Sequence, residues 1–300
     1  VSTTSTKSRR KKTPRRRDAQ AKQPSEISAR TGGAEISERA WRWSSLGILV
    51  GGAFLRLISL SLVPFHHDEG VNGNFLVSLV REGKYVYNPE NYHGPTLYFF
   101  SAVIPWIARF LGGKAFGDHY GLTTFNVRLI TAAFGIATIW LVLLLRKRIG
   151  TIGALAAAGL IAISPGGIYL SRYFIHESLF VFFTLGIVVA ALKYYDTGRA
   201  NYLILASISA ALMVATKETW VMNGPVLLIA LITTRLYCGV RRRVDGKPAD
   251  QPLGERVRQT VDRLGGPVAL ATVALAAFAV FILVNVLFYS SFFTNYPKGV

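Results

Sequence analysis

Cysteine is almost missing from this chain: Cys238 is the single one among 300 residues. That excludes a disulfide framework or a thiolate metal cluster built within it, and leaves Cys238 as a small apolar residue near a helix end. Acid is scarce too, with 16 Asp and Glu against 34 Lys and Arg and a formal net charge of +18. The chain has no glycine-rich phosphate loop of the Lys-Ser/Thr kind and no GxGxxG turn between strand and helix, so a cytosolic nucleotide or nucleotide-sugar site is not expected in it. Its basic N-terminal run is not followed by the short apolar core and cleavage site of a signal peptide.

What the chain has in quantity is apolar sequence, 51% of its residues. Much of it comes in blocks of about 17 to 22 residues, the length a helix needs to cross roughly 30 Å of hydrocarbon. The expected fold is all-α, a polytopic transmembrane helical bundle of about seven spans with interfacial helices in its first outer loop.

The positive charge is unevenly placed. Residues 1–30 hold ten Lys or Arg against Asp18 and Glu26, in a Ser/Thr/Pro-rich stretch that cannot bury a core. Residues 1–43 are therefore read as a disordered basic cytoplasmic tail near anionic lipid head groups, and not as a nucleic-acid-binding arm. The transmembrane domain is expected over 44–300, as the N-terminal part of a longer protein.

Spans are expected at 44–63, 125–145, 149–164, 178–195, 202–216, 220–237 and 268–288. Residues 96–111 are short and interrupted by Pro105 and Arg109, so they read as an interfacial or re-entrant helix. Arg56, inside the first span, is expected to face the bundle. Arg146-Lys147-Arg148, Lys193 with Arg199, and the basic stretch 235–263 fall on one side with the tail, which places that side in the cytoplasm. The opposite, extracytoplasmic side then gathers Asp68, Glu69, His93, Arg172, His176, Glu177, Lys217 and Glu218.

Two adjacent carboxylates at a bilayer edge are costly to keep, and Asp68-Glu69 in HHDEGVNGNF is the first candidate site. One reading is a helix cap near Gly70. The other is general base catalysis, in which a carboxylate within about 3 Å of a hydroxyl proton raises the rate by roughly 10² to 10⁴. Burial at the membrane edge would raise the base's pKa toward the working pH. A divalent metal, manganese or magnesium, is the one candidate cofactor, with Asp68, Glu69, His67 and Glu177 as candidate ligands; further imidazoles from His66 and His93 would favour manganese or zinc.

In the segment Ser171-Arg172-Tyr173-Phe174-Ile175-His176-Glu177, Arg172 suits a bidentate grip on phosphate. The alternative is an Arg172–Glu177 ion pair. Lys217 beside Glu218 can offer a point charge to phosphate or satisfy neighbours across the bundle. His93 either contacts substrate or stabilises a turn.

These motifs resemble a known family. A first span ending in Asp68-Glu69, a Gly94-Pro95-Thr96-Leu97-Tyr98 stretch in the following loop and Val127-Arg128-Leu129 opening the next span look like the membrane-embedded GT-C glycosyltransferases. These include the protein O-mannosyltransferases and the lipid A aminoarabinose transferases. His66-His67-Asp68-Glu69-Gly70, Tyr85-Val86-Tyr87-Asn88-Pro89, Thr216-Lys217-Glu218 and Phe292-Phe293-Thr294-Asn295 look closer to one subgroup, named for association with flippase activity in archaeal protein glycosylation.

The resemblance implies an enzyme of the cell membrane that moves a sugar from a polyprenyl-phosphate donor, with inversion, to an extracytoplasmic acceptor. Asp68 would be its base or metal-orienting carboxylate, with Glu69 beside it. Arg172 and Lys217 would be phosphate contacts and His93 a substrate contact. Glu177 would match the second acidic position, where many members have Asp. Membrane proteins of a glycosylation pathway are the implied partners. The competing reading is a lipid-linked oligosaccharide flippase or its accessory subunit.

Overall fold

The computed structural model describes residues 36–88, 90, 93–111, 120–246 and 252–295. Most of the basic tail, residues 1–35, lies outside the described residues, as do Pro89 and Tyr92 of the loop motifs. The tail's far boundary is corrected. Ser37 accepts the Ala40 N–H and opens α1, Glu38–Leu57, with an acidic residue in the first turn to complement the helix dipole, so residues 38–43 are helical.

Among the described residues eleven helices follow: α2 (His67–Glu82), α3 (Thr96–Phe110), α4 (Thr124–Leu143), α5 (Arg146–Ile149), α6 (Thr151–Ile163), α7 (Pro165–Ser171), α8 (Glu177–Thr197), α9 (Asn201–Val214), α10 (Trp220–Val244), α11 (Leu253–Leu264) and α12 (Pro267–Tyr289). The described residues form no strand. At one end of the bundle Arg146 pairs with Glu38, joining the exit of α4 to the entry of α1, and Arg148 pairs with Asp196 at the exit of α8. At the other end gather the exit of α1, the start of α2, the entries of α4 and α8, and the α9–α10 turn.

Against about seven spans expected, four helices among the described residues, α4, α8, α10 and α12, are long and apolar enough to cross a membrane by length and composition, or five if the bent pair α6–α7 counts as one. Ser164 caps α7 and Pro165 opens it, turning the chain by 61° where a straight span was expected. The 14 residues of α9 are apolar but short, and α1 carries Glu38, Arg39, Arg42 and Arg56 along its length. Helix α3 starts beside Thr216, and its Pro105 and Ala108 lie against Gly121 just before α4. Both its ends thus lie at one end of the bundle, and it does not cross.

Small residues set the tightest packing. Ala154, Ala158 and Ala162 bury one face of α6, and a Cβ on Gly52 of α1 would come within 2.6 Å of the Ile139 side chain and 3.3 Å of Ala162. Under the site, Leu76, Leu97, Phe174, Leu179 and Met213 close a core drawn from α2, α3, α8, α9 and the loop before α8. Helices α10 and α12 have no buried residue.

Candidate functional site

The two adjacent carboxylates meet opposite fates. Glu69, in the first turn of α2, is fully buried and accepts four hydrogen bonds. They come from Arg128 Nε at 2.7 Å and Nη2 at 2.6 Å, from the Phe174 N–H at 2.8 Å and from the His66 N–H at 3.0 Å. Burial alone would push its pKa up, but the Arg128 guanidinium and the two N–H groups outweigh it and hold the carboxyl below its ordinary value. Glu69 is therefore ionised with its lone pairs taken, which suits a clamp and not a base. The sequence reading makes Glu69 a catalytic partner or metal ligand; here its oxygens are taken by Arg128 and two backbone N–H groups.

Arg128 completes the clamp. It also donates to the carbonyls of Leu60 and Val63 at 2.9 Å and Pro64 at 3.2 Å, so one guanidinium fastens the turn after α1 to α2 and α4. Reading the sequence places Arg128 only within a Val-Arg-Leu motif and misses its function. A cation near the start of an otherwise apolar span was the available signal, since such a charge needs a buried partner.

Asp68 points the other way. Its side chain is 69% exposed, and His66 Nδ1 lies 3.9 Å from Oδ2. Beyond His66 stands Tyr173, its ring 5.9 Å away and stacked on Tyr169 at 4.4 Å. Capping of α2 falls to Glu69, which leaves the Asp68 carboxylate open to a ligand.

Arg172 forms neither the ion pair with Glu177 nor an open phosphate fork. Its Nη1 donates to the carbonyls of Ile58 at 2.6 Å and Leu55 at 3.1 Å, and its Nη2 to Ser59 at 3.0 Å. Helix ends leave carbonyls without partners, and Arg172 satisfies those at the exit of α1. Arg56 does the same for α6, donating to Ile161 and Ala162 at 3.1 and 3.0 Å beside the Ser164 bend. The expectation that Arg56 faces the bundle is borne out: it is 1% exposed.

A second cluster forms where the 93–96 segment runs antiparallel to 215–217. Gly94 N–H donates to Thr216 O at 3.1 Å, Thr96 N–H to Ala215 O at 3.2 Å, and the Thr96 and Thr216 hydroxyls meet at 2.8 Å. Only glycine fits at 94, because a Cβ would stand 2.1 Å from Ala215 O. This pairing sets His93 opposite Lys217, with its ring 3.1 Å from the Glu218 carboxylate. Lys217 Nζ pairs with Glu177 at 2.7 Å. Both pairs are partly exposed.

Behind them His176 is buried, its Nε2 donating to Gly94 O at 3.1 Å and its ring 4.7 Å from His93. Burial, reinforced by His93 and Lys217, pushes its pKa well below that of an ordinary histidine, so it is neutral. Tyr98 and Asn72 complete the link: the Tyr98 ring lies 5.5 Å from His176, its hydroxyl donates to Asn72 Oδ1 at 2.9 Å, and Asn72 donates to Phe174 O at 3.1 Å. The polar residues assigned to one side in sequence thus share one end of the bundle through continuous contacts. The four candidate metal ligands do not converge: Asp68 and His67 are exposed, Glu69 is sealed by Arg128, and Glu177 pairs with Lys217. Among the described residues no three His, Cys, Asp or Glu side chains are grouped to hold a metal ion.

Residues 101–242 match the profile of the family described as dolichyl-phosphate-mannose-protein mannosyltransferase. Among solved structures, the chain is similar to the S. cerevisiae protein O-mannosyltransferase Pmt1-Pmt2 complex bound to the sugar donor, with a TM-score of 0.59 and 16% identity. The similarity covers 92% of this chain and 36% of the matched chain, so the chain spans about a third of that relative's length. Among curated proteins no sequence matches it significantly. The resemblance to the GT-C glycosyltransferases read from the motifs is borne out in the fold: this is a membrane protein with that fold.

Proposed function

We propose that this chain carries the base-bearing part of a membrane glycosyltransferase that moves a sugar from a polyprenyl-phosphate donor to an acceptor hydroxyl, with Asp68 as general base. The observation that carries this is the division of labour between neighbours. Glu69 is spent on Arg128 and on capping α2, while Asp68, held on the same helical turn, keeps its carboxylate exposed. The family match and the fold support the reaction class.

In the reaction, Asp68 accepts the proton of the acceptor hydroxyl as its oxygen bonds to the anomeric carbon. The bond from that carbon to the phosphate oxygen breaks, the configuration inverts, and the polyprenyl phosphate leaves with the electron pair. Lys217 is the cation placed to meet the departing charge, exchanging Glu177 for phosphate. Arg172, committed to the α1 carbonyls, is withdrawn from that role. The site end of the bundle faces away from the cytoplasm, since Arg146-Lys147-Arg148, Lys193, Arg199 and Arg241-Arg242-Arg243 all lie toward the other.

The test is transfer of labelled sugar from polyprenyl phosphate in membranes carrying the full-length protein, wild type against Asp68→Asn at matched expression. Loss of transfer with donor binding retained supports the base. Equal transfer in both overturns it. Absence of transfer with any donor, alongside lipid-head-group binding that depends on Lys217, would favour the flippase or accessory reading.

A further inference from the structure

Helix α11 stands outside all of this. It joins α10 to α12, and its place is fixed by them. Helix α10 leaves the site end beside Lys217 and, at 25 residues, reaches about 37 Å to the opposite end. Helix α12 returns from there, its Tyr289 hydroxyl donating to Val214 O at the site end. So α11 lies at the basic end, between two apolar helices long enough to cross a bilayer.

The sequence of α11, LGERVRQTVDRL, is sharply two-sided. At about 100° per residue, Val257, Val261 and Leu264 fall within an arc of about 60°. Arg258 flanks that arc about 90° from its centre, and Arg263 stands about 130° from it on the other side. Glu255 and Asp262 stand about 150° and 130° from it. In the fold Val257 is 52% exposed, although it sits in the middle of the apolar stripe, while Val261 and Leu264 are partly covered.

We infer that α11 lies in the plane of an anionic leaflet, its Val257–Val261–Leu264 stripe in the acyl boundary and Arg258 and Arg263 on lipid phosphates. Arginines at the boundary of the apolar stripe can bury their stems and lift their guanidinium groups to the phosphate level, whereas the two carboxylates lie on the far side, away from anionic lipid. Arg241, Arg242 and Arg243, in the last turn of α10, bring more positive charge to the same level. A soluble partner protein covering the stripe would not call for Arg258 at its edge with both carboxylates turned away. Each arginine near an anionic surface contributes about five-fold in partitioning.

The test uses the full-length protein with Cys238→Ser, reconstituted in vesicles of phosphatidylcholine alone or with phosphatidylglycerol. An environment-sensitive maleimide dye is placed at Val257→Cys or Gln259→Cys, and quenching by doxyl-labelled lipid is read. The expected result is quenching several-fold stronger at 257 than at 259 in anionic vesicles. A double Arg258→Gln, Arg263→Gln variant should weaken it. Equal quenching at 257 and 259 overturns the in-plane orientation. Quenching at 257 indifferent to phosphatidylglycerol and to the double variant overturns the phosphate contacts.

Discussion

Two polar clusters share one end of this bundle and are built on opposite terms. Around Glu69 every acceptor and donor is spent: carboxylate, guanidinium and helix-end carbonyls close on each other in the core. Around Lys217 and His93 the charges pair two by two at the surface, partly open to solvent. The first cluster can hold but cannot exchange. The second can release one partner for another, which is what a binding site requires. Asp68 stands on the rim of the closed cluster with the exposure of the open one.

The contrast breaks first at Asp68 and Glu69. Asp68→Asn should lower transfer by roughly 10² to 10⁴ while leaving the melting temperature near wild type, which pairs a kinetic assay with a thermal one. Glu69→Gln should do the reverse in kind, costing about 3–5 kcal/mol of stability because Arg128 is left buried without its counter-charge. An activity loss in Glu69→Gln without any loss of stability would erase the distinction between the clusters. Replacing both partners, Glu69→Gln with Arg128→Met, should cost less than the sum of the single changes, as a double-mutant cycle would show.

Acid sharpens the comparison further. The folded-state pKa of Glu69 is depressed, so its contribution is present above the ordinary carboxylate value and is lost as pH falls below it. The His176 pKa is depressed as well. The unfolded chain takes up a proton there below about 6.5 and the folded chain does not, so stability declines as pH falls from that value. Thermal melts should therefore weaken in two stages, near pH 6.5 and again near pH 4, and His176→Gln should remove the upper stage. The smallest effect is expected at the open rim. Lys217→Met should change stability by about 0.2–1 kcal/mol while weakening donor binding measurably in a titration.

Much of the site's address was legible in the sequence, and little of its wiring. Apolar block length and basic loops were enough to bring Asp68, His93, His176, Glu177 and Lys217 to one end, because both follow from the bilayer as solvent. The bend at Ser164 was missed, although Ser164-Pro165 is a cap followed by a first-turn proline, because the flanking residues stay apolar and hydropathy does not register direction. Arg128 and Arg172 were beyond local reading for another reason. Their partners are 59 and more than 110 residues away, and no period of 3.6 links a guanidinium to a distant helix end. The Asp68–Glu69 pair shows the limit most plainly: the same chemistry at adjacent positions, and a difference made by one local cap and by tertiary contacts with Arg128 and Phe174.

The backbone tie between 93–96 and 215–217 has a mechanical meaning. It welds the approach to α3 onto the α9–α10 turn, so that two stretches more than a hundred residues apart behave as a single tile. Any swing of α10 that admitted a bulky lipid-linked sugar would either drag His93, Gly94 and the start of α3 with it or tear the seam at Gly94. Access to this site is then a question of one hinge, not two.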